Sequence, residues 1–201
     1  MSSLEQIRWS GLAAILAGTM FIISDLLDLT MKSDGFGPKD LGEGTLTTLS
    51  ALQSGLTLSA GILLLVGLAG LYIRQLGDGD LLGMIGFLIA FYGTVMAVGI
   101  FWADVFVTPS LARRESALLG AAAPGALAAG VTLSYGSVAL GWLLFGLAML
   151  RKGLYPRQAS ALLMIGAVLT WLPLPLSGVP FSVGVAWMGY ALFSDKGAPS
   201  E

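Results

Sequence analysis

Six long apolar runs joined by short polar connections constrain this chain more than any other feature. They lie at about residues 8–29, 49–75, 81–106, 125–150, 157–174 and 179–194. Most approach the ~20 residues that an α-helix needs to cross a ~30 Å hydrocarbon core. Hydrophobic residues make up 56% of the 201, charged residues only 11%, and mean hydropathy is +0.85. A water-soluble domain would need far more charge. The expected fold is therefore all-α: one polytopic transmembrane domain over residues 1–201, with six transmembrane helices.

The first run could pass for a secretory signal. It ends, however, in Ser24-Asp25-Leu-Leu-Asp28 without a small-x-small cleavage site, and Arg8 is its single leading basic residue. It reads better as a span. The opening Arg8-Trp-Ser-Gly-Leu-Ala-Ala14 resembles those of small bacterial membrane proteins, a likeness that covers the first helix and implies no activity; the expected location is a cell inner (plasma) membrane.

The connections have distinct characters. Residues 30–48 mix Gly, Pro and charge without helical period and read as a loop outside the membrane. Gly77-Asp-Gly-Asp80 is a tight turn between antiparallel neighbours. Thr108-Pro109 is a cap and first-turn pair that predicts a short interfacial helix to about Ala123. Six spans put both termini on one side. With the termini inside, that side carries Arg8, Arg74, Arg151, Lys152, Arg157 and Lys196, against Lys32, Lys39, Arg113 and Arg114 outside. The bias favours cytoplasmic termini, and Trp9, Tyr72, Tyr155 and Tyr190 would then form an inner aromatic belt.

A seven-residue stretch recurs: Gly55-Leu-Thr-Leu-Ser-Ala-Gly61, Gly130-Val-Thr-Leu-Ser-Tyr-Gly136 and Gly178-Val-Pro-Phe-Ser-Val-Gly184. The first two copies share seven identities over eleven positions, from Ala51 and Ala126, at a constant offset of 75 residues. The same offset lays Gly11 on Gly86 and Gly18 on Gly93. This predicts an internal repeat of three helical hairpins, about 8–75, 81–150 and 157–194, with outer loops at 30–48 and 108–123. Gly55, Ser59, Gly61, Gly130, Ser134, Gly136, Gly178, Ser182 and Gly184 are expected to serve helix packing, because small residues let backbones approach in lipid. The serines can bond a neighbouring helix or the carbonyl one turn back. In the third copy Pro173 and Pro175 cut the fifth span short, which would leave a recess on the outer side near Pro173–Pro180.

Few residues can carry chemistry. With neither cysteine nor histidine, disulfides, thiolate or imidazole metal sites and histidine bases are excluded. No cofactor and no metal is implied. A net charge of −2 gives nucleic acid no electrostatic support. Asp25, Asp28 and Asp104 are the acids nearest the apolar core, and acids within spans are costly enough to suggest function. Asp25 lies about 24 Å along the helix from Trp9, and Asp28 one turn further on the same face. Either they mark helix ends in interfacial water beside Arg113 or Arg114, or they form a carboxylate cluster for a cation or protons. Tyr135 and Trp142, seven apart, share a face that either packs the core or walls a site for an apolar ligand.

The leading functional reading is a binding, scaffolding or accessory subunit that packs with lipid, other membrane subunits or copies of itself. The rival is a small secondary transporter or proton- or cation-linked permease working through the three carboxylates. An enzyme is disfavoured, since no nucleophile motif or metal set accompanies them.

Overall fold

In the computed structural model, residues 3–31, 48–75, 80–114, 125–171 and 176–194 are described. All the regular structure among them is helical: α1 Ser3–Met31, α2 Thr48–Gln75, α3 Leu81–Phe106, α4 Thr108–Arg114, α5 Gly125–Lys152, α6 Arg157–Leu169 and α7 Val179–Ser194. Four stretches are long and apolar enough to cross a membrane: Glu5–Thr30, Thr48–Gln75, Leu81–Leu111 and Gly125–Lys152. The remaining two expected spans are shorter. α6 has 13 residues and α7 has 16, about 20 and 24 Å at 1.5 Å per residue.

The helices form a closed ring. α1 packs on α2, α2 on α3, α3 on α5, α5 on α6 and α6 on α7, and α7 returns to α1. α4 touches α3 alone in any extent. On α1 the sorting of side chains reverses that of a soluble bundle. The buried face is Ala13, Ala14 and Ala17, while Leu16, Ile23 and Leu26 point outward. Small residues meet inside and large apolar ones face away, as expected where lipid surrounds the protein and contact distance sets packing energy.

Glycines make four of these crossings close, and between α1 and α2 Gly67 faces Ala14 while Gly70 faces Ser10. A Cβ on Gly86 would lie 2.6 Å from Phe145 N, and one on Gly141 would meet the α3 backbone at Ala90. Between α6 and α7, Gly184 faces Leu163 N at 2.7 Å on the same measure, and Gly166 faces Phe181. Between α1 and α7, Gly11 faces Phe193 N and Gly189 faces Gly11 O, both at 2.7 Å. The expected packing glycines divide accordingly. Gly184 abuts backbone, Gly61 abuts the Val98 and Phe101 side chains of α3, and Gly136 abuts the Trp171 ring. Gly55 and Gly130 do not pack: a Cβ on either would meet nothing within 4 Å. Gly55 lies between Gln53 and Thr57, both of which contact Ser24 of α1, so it is the face it occupies, not its place along the helix, that is open.

The inner half of the ring is solid. Leu68, Leu71, Phe145, Met149, Met188 and Leu192 are fully buried. Lys152 Nζ donates to Gln75 O at 2.9 Å, covering a carbonyl that α2 leaves unbonded at its end. Asp80 caps α3 through Leu82 N at 3.1 Å and accepts from Gln75 Nε2 at 3.2 Å. Tyr155 corrects the expected aromatic belt. It is buried, its hydroxyl bonds Leu71 O at 3.4 Å and Arg74 lies 5.3 Å over its ring. Tyr72 also turns inward, stacked on Phe87 at 4.0 Å, leaving Trp9 and Tyr190 exposed.

Two helix boundaries differ from expectation. The fifth apolar run ends as a helix at Leu169, not 174, because the chain tightens: Thr170 N bonds Gly166 O while Trp171 N bonds Val168 O. Pro173 and Pro175 lie outside the described residues, as do Gly77, Asp78 and residues 32–47 of the first outer loop. The short helix expected over 108–123 does open at Thr108, as α4, but it is joined to α3 across the single residue Val107. Val107 N still bonds Ala103 O at 2.8 Å and Leu111 N bonds Val107 O at 3.0 Å, so the ladder carries on through the junction. The part beyond Arg114, and the side chains of Arg113 and Arg114, fall outside the described residues.

Candidate functional site

The ring encloses a cavity of about 340 Å³ toward the end where α1 and α3 finish and α2 and α5 begin. α1 supplies Phe21, Ser24, Asp25 and Asp28, which lie three or four apart along one helix face. α2 runs the other way and supplies Gln53, Ser54 and Thr57 near the rim, then Gly61 and Leu64 below. α3 contributes Thr94, Ala97, Phe101 and Asp104, again one face, and α5 contributes Tyr135 and Val138. The sixth wall is Thr170 at the end of α6, with Ser177, Gly178, Phe181 and Ser182 leading into α7.

The three carboxylates named from sequence thus line one cavity. Asp25 and Asp28 are half-buried. Asp104 is the most exposed, and the Thr108 hydroxyl donates to its Oδ1 at 3.4 Å. The Asp25 carboxylate lies deepest and leans toward α7: a Cβ on Gly178 would sit 2.8 Å from its Oδ2. Gly178 therefore makes room for an acid, in addition to any part in helix packing. Among the described residues, no three acidic side chains stand close enough together to hold a metal ion.

Beside Asp25, the Ser24 and Thr57 hydroxyls lie 2.6 Å apart and tie α1 to α2, and Thr57 Oγ1 also donates to Gln53 O at 3.0 Å. Ser24, Gln53 and Thr57 were not picked out from sequence. Their signal was position: Ser24 adjoins Asp25, and Thr57 belongs to the recurring stretch. Within that stretch each serine makes the same local bond. Ser59 Oγ donates to Gly55 O at 2.8 Å, Ser134 to Gly130 O at 2.7 Å and Ser182 to Gly178 O at 3.0 Å. None of these bonds crosses to another helix. Ser59 stays exposed, whereas Ser134 and Ser182 are buried.

Tyr135 and Trp142 part company. Tyr135 lines the cavity, but Trp142 does not; it is fully buried beneath it. The indole ring stands edge-on to Phe181 at 5.1 Å and to Phe145 at 6.1 Å. Its N–H donates to Thr94 Oγ1 at 3.2 Å. Together with Phe181 and Thr94 it forms the base on which the cavity rests, so the expected aromatic wall for an apolar ligand is reduced to Tyr135.

Among the described residues, every charged group lining the cavity is anionic. Hydroxyls, one amide and aromatic edges supply the rest of the polar surface. The negative potential of such a lining favours positive charge over negative. No family model, no curated protein and no solved structure matches the chain significantly, so function rests on the cavity alone.

Proposed function

We propose that this chain is a multi-pass membrane protein that binds a small positively charged solute from the outer side. It crosses a plasma (inner) membrane six times as three duplicated hairpins, with both termini cytoplasmic. The lysine and arginine distribution supports the orientation. One observation carries the functional reading: Asp25, Asp28 and Asp104, from two helices, open onto one cavity in an otherwise apolar ring. Gathering acids at one cavity is costly through their mutual repulsion and partial desolvation, and a bound cation offsets the cost.

Binding is favoured over alternating-access transport by the inner half of the ring. Below the cavity, Trp142, Phe145, Leu68 and Met188 are fully buried, and four glycine-mediated crossings hold the helices together. A purely scaffolding or accessory role ranks second, supported by the large apolar side chains on the outside of every long helix, which lipid alone also explains.

The test is thermal stabilisation of the purified chain by matched small cations, anions and neutral solutes. Cations are expected to raise the midpoint, since ligands that bind only the folded state stabilise it by mass action. The rise should vanish in an Asp25→Asn, Asp104→Asn double variant. Equal response to anions would reject the reading.

A further inference from the structure

The class of solute follows from the cavity's layering, on the reading that it binds a positively charged ligand. A bare metal ion fits poorly. Calcium takes six to eight oxygens at about 2.3–2.6 Å and magnesium near-ideal octahedral oxygens, yet no three acidic side chains among the described residues stand close enough to hold one. The carboxylates are instead spread over the wall and rim of a space of about 340 Å³. That is near the lower end of small-molecule sites, about 300–1,000 Å³.

The lining is also graded with depth. Helix order places Asp28 and Asp104 at the rim, Asp25 one level down, and Leu64, Ala97, Val138 and Phe181 at the floor. The polar groups at floor level are already engaged. Thr94 Oγ1 donates to Ala90 O at 2.7 Å and accepts from Trp142, while Ser182 Oγ donates to Gly178 O at 3.0 Å. The floor therefore presents carbon. Beside the acids, Phe21 and Phe101 meet edge to face at 6.2 Å. Aromatic rings beside carboxylates suit an alkylated ammonium, whose charge is diffuse and weakly hydrated.

We infer that the cavity takes an organic ammonium with a short apolar body. Its head sits among Asp25, Asp28 and Asp104, and its body lies on the floor at Leu64, Ala97 and Val138. A head alone would leave the floor empty, and an apolar solute alone would leave three carboxylates facing it.

The experiment uses the full chain in lipid nanodiscs. Binding is measured by equilibrium dialysis for alkyltrimethylammonium ions from methyl to hexyl, for their uncharged isosteres with carbon in place of nitrogen, and for sodium, potassium, magnesium and calcium. Affinity is expected to rise about fourfold per added methylene until the floor is filled. The uncharged isosteres should bind at least about tenfold more weakly, as should the ammonium ions to Asp25→Asn, because a desolvated charge contact is lost. Ala97→Leu should weaken hexyltrimethylammonium and spare tetramethylammonium. Should Asp25→Asn not fold, Asp104→Asn provides the same comparison. Binding of metal ions without ammonium ions overturns the organic class and leaves the cation reading standing. Equal binding of the uncharged isosteres, or of no cation at all, overturns both. A flat response to alkyl length overturns the role of the floor.

Discussion

Trp142 donates its indole N–H to the Thr94 hydroxyl at 3.2 Å, and Thr94 in turn donates to Ala90 O at 2.7 Å. This pair joins α5 to α3 at the base of the cavity. With Trp142 fully buried, no water can replace the hydroxyl. Thr94→Val keeps the shape and removes the acceptor, so it should cost about 1–3 kcal/mol, the penalty for a stranded buried donor. Thr94→Ser should cost less. Reversible unfolding in mixed micelles measures both, and a Thr94→Val variant as stable as the parent would show that the bond contributes nothing.

Glycines with similar sequence settings should respond in opposite directions. Gly141→Ala forces a methyl into the α3 backbone at Ala90 and should destabilise the protein by about 1–3 kcal/mol or more. Gly55→Ala and Gly130→Ala enter open space and should be neutral or stabilising, by up to about 1 kcal/mol from helix propensity. Gly61→Leu and Gly136→Leu should fall between, because side chains rather than backbone oppose them. A loss at Gly55 as large as that at Gly141 would contradict these contacts.

The closeness of Gly178 to Asp25 separates a binding acid from a structural one. Gly178→Ala puts a methyl 2.8 Å from Asp25 Oδ2 and should displace the carboxylate, weakening cation binding several-fold. Asp25→Asn should abolish binding and leave the unfolding midpoint level or higher, since a buried carboxylate's desolvation cost is removed. A large drop in stability on Asp25→Asn would instead make that acid a structural partner.

Topology can be tested without altering native thiols, as the chain has none. Single cysteines at Ser33 and Ser200 should label from opposite sides, Ser33 from outside and Ser200 from within. Labelling of Ser200 from outside and Ser33 from within would reverse the orientation, and labelling of both from one side would reject six crossings.

The long helices were legible because membrane spans announce themselves by length. α3 and α7 begin and end where the apolar pattern does, and α1, α2 and α5 depart by a turn or so. The three acids were legible because a carboxylate in an apolar run stands out. What the pattern did not disclose was which faces meet. Gly55 and Gly86 look alike in sequence, yet one faces open space and the other the α5 backbone, a difference set by where helices cross. The same limit hid the roles of Trp142 and Tyr155, since an aromatic at helical spacing reads identically as wall, belt or core. The early end of α6 depended on local turn bonds at Thr170 and Trp171 that no periodicity records.

The pairing of α1 with α7 has a consequence for biogenesis. Gly11 on α1 meets Phe193 on α7, so the face of α1 that α7 covers stays open until the much later α7 has been made. Until then the acids on α1 have walls from α2, α3 and α5, and the side that Gly178, Phe181 and Ser182 supply is missing. A membrane-inserted intermediate with an open seam is therefore built into the order of synthesis, and the seam exposes alanine and glycine. Premature termination within α7 would fix that seam open, giving a product that inserts normally yet stays a target for quality control.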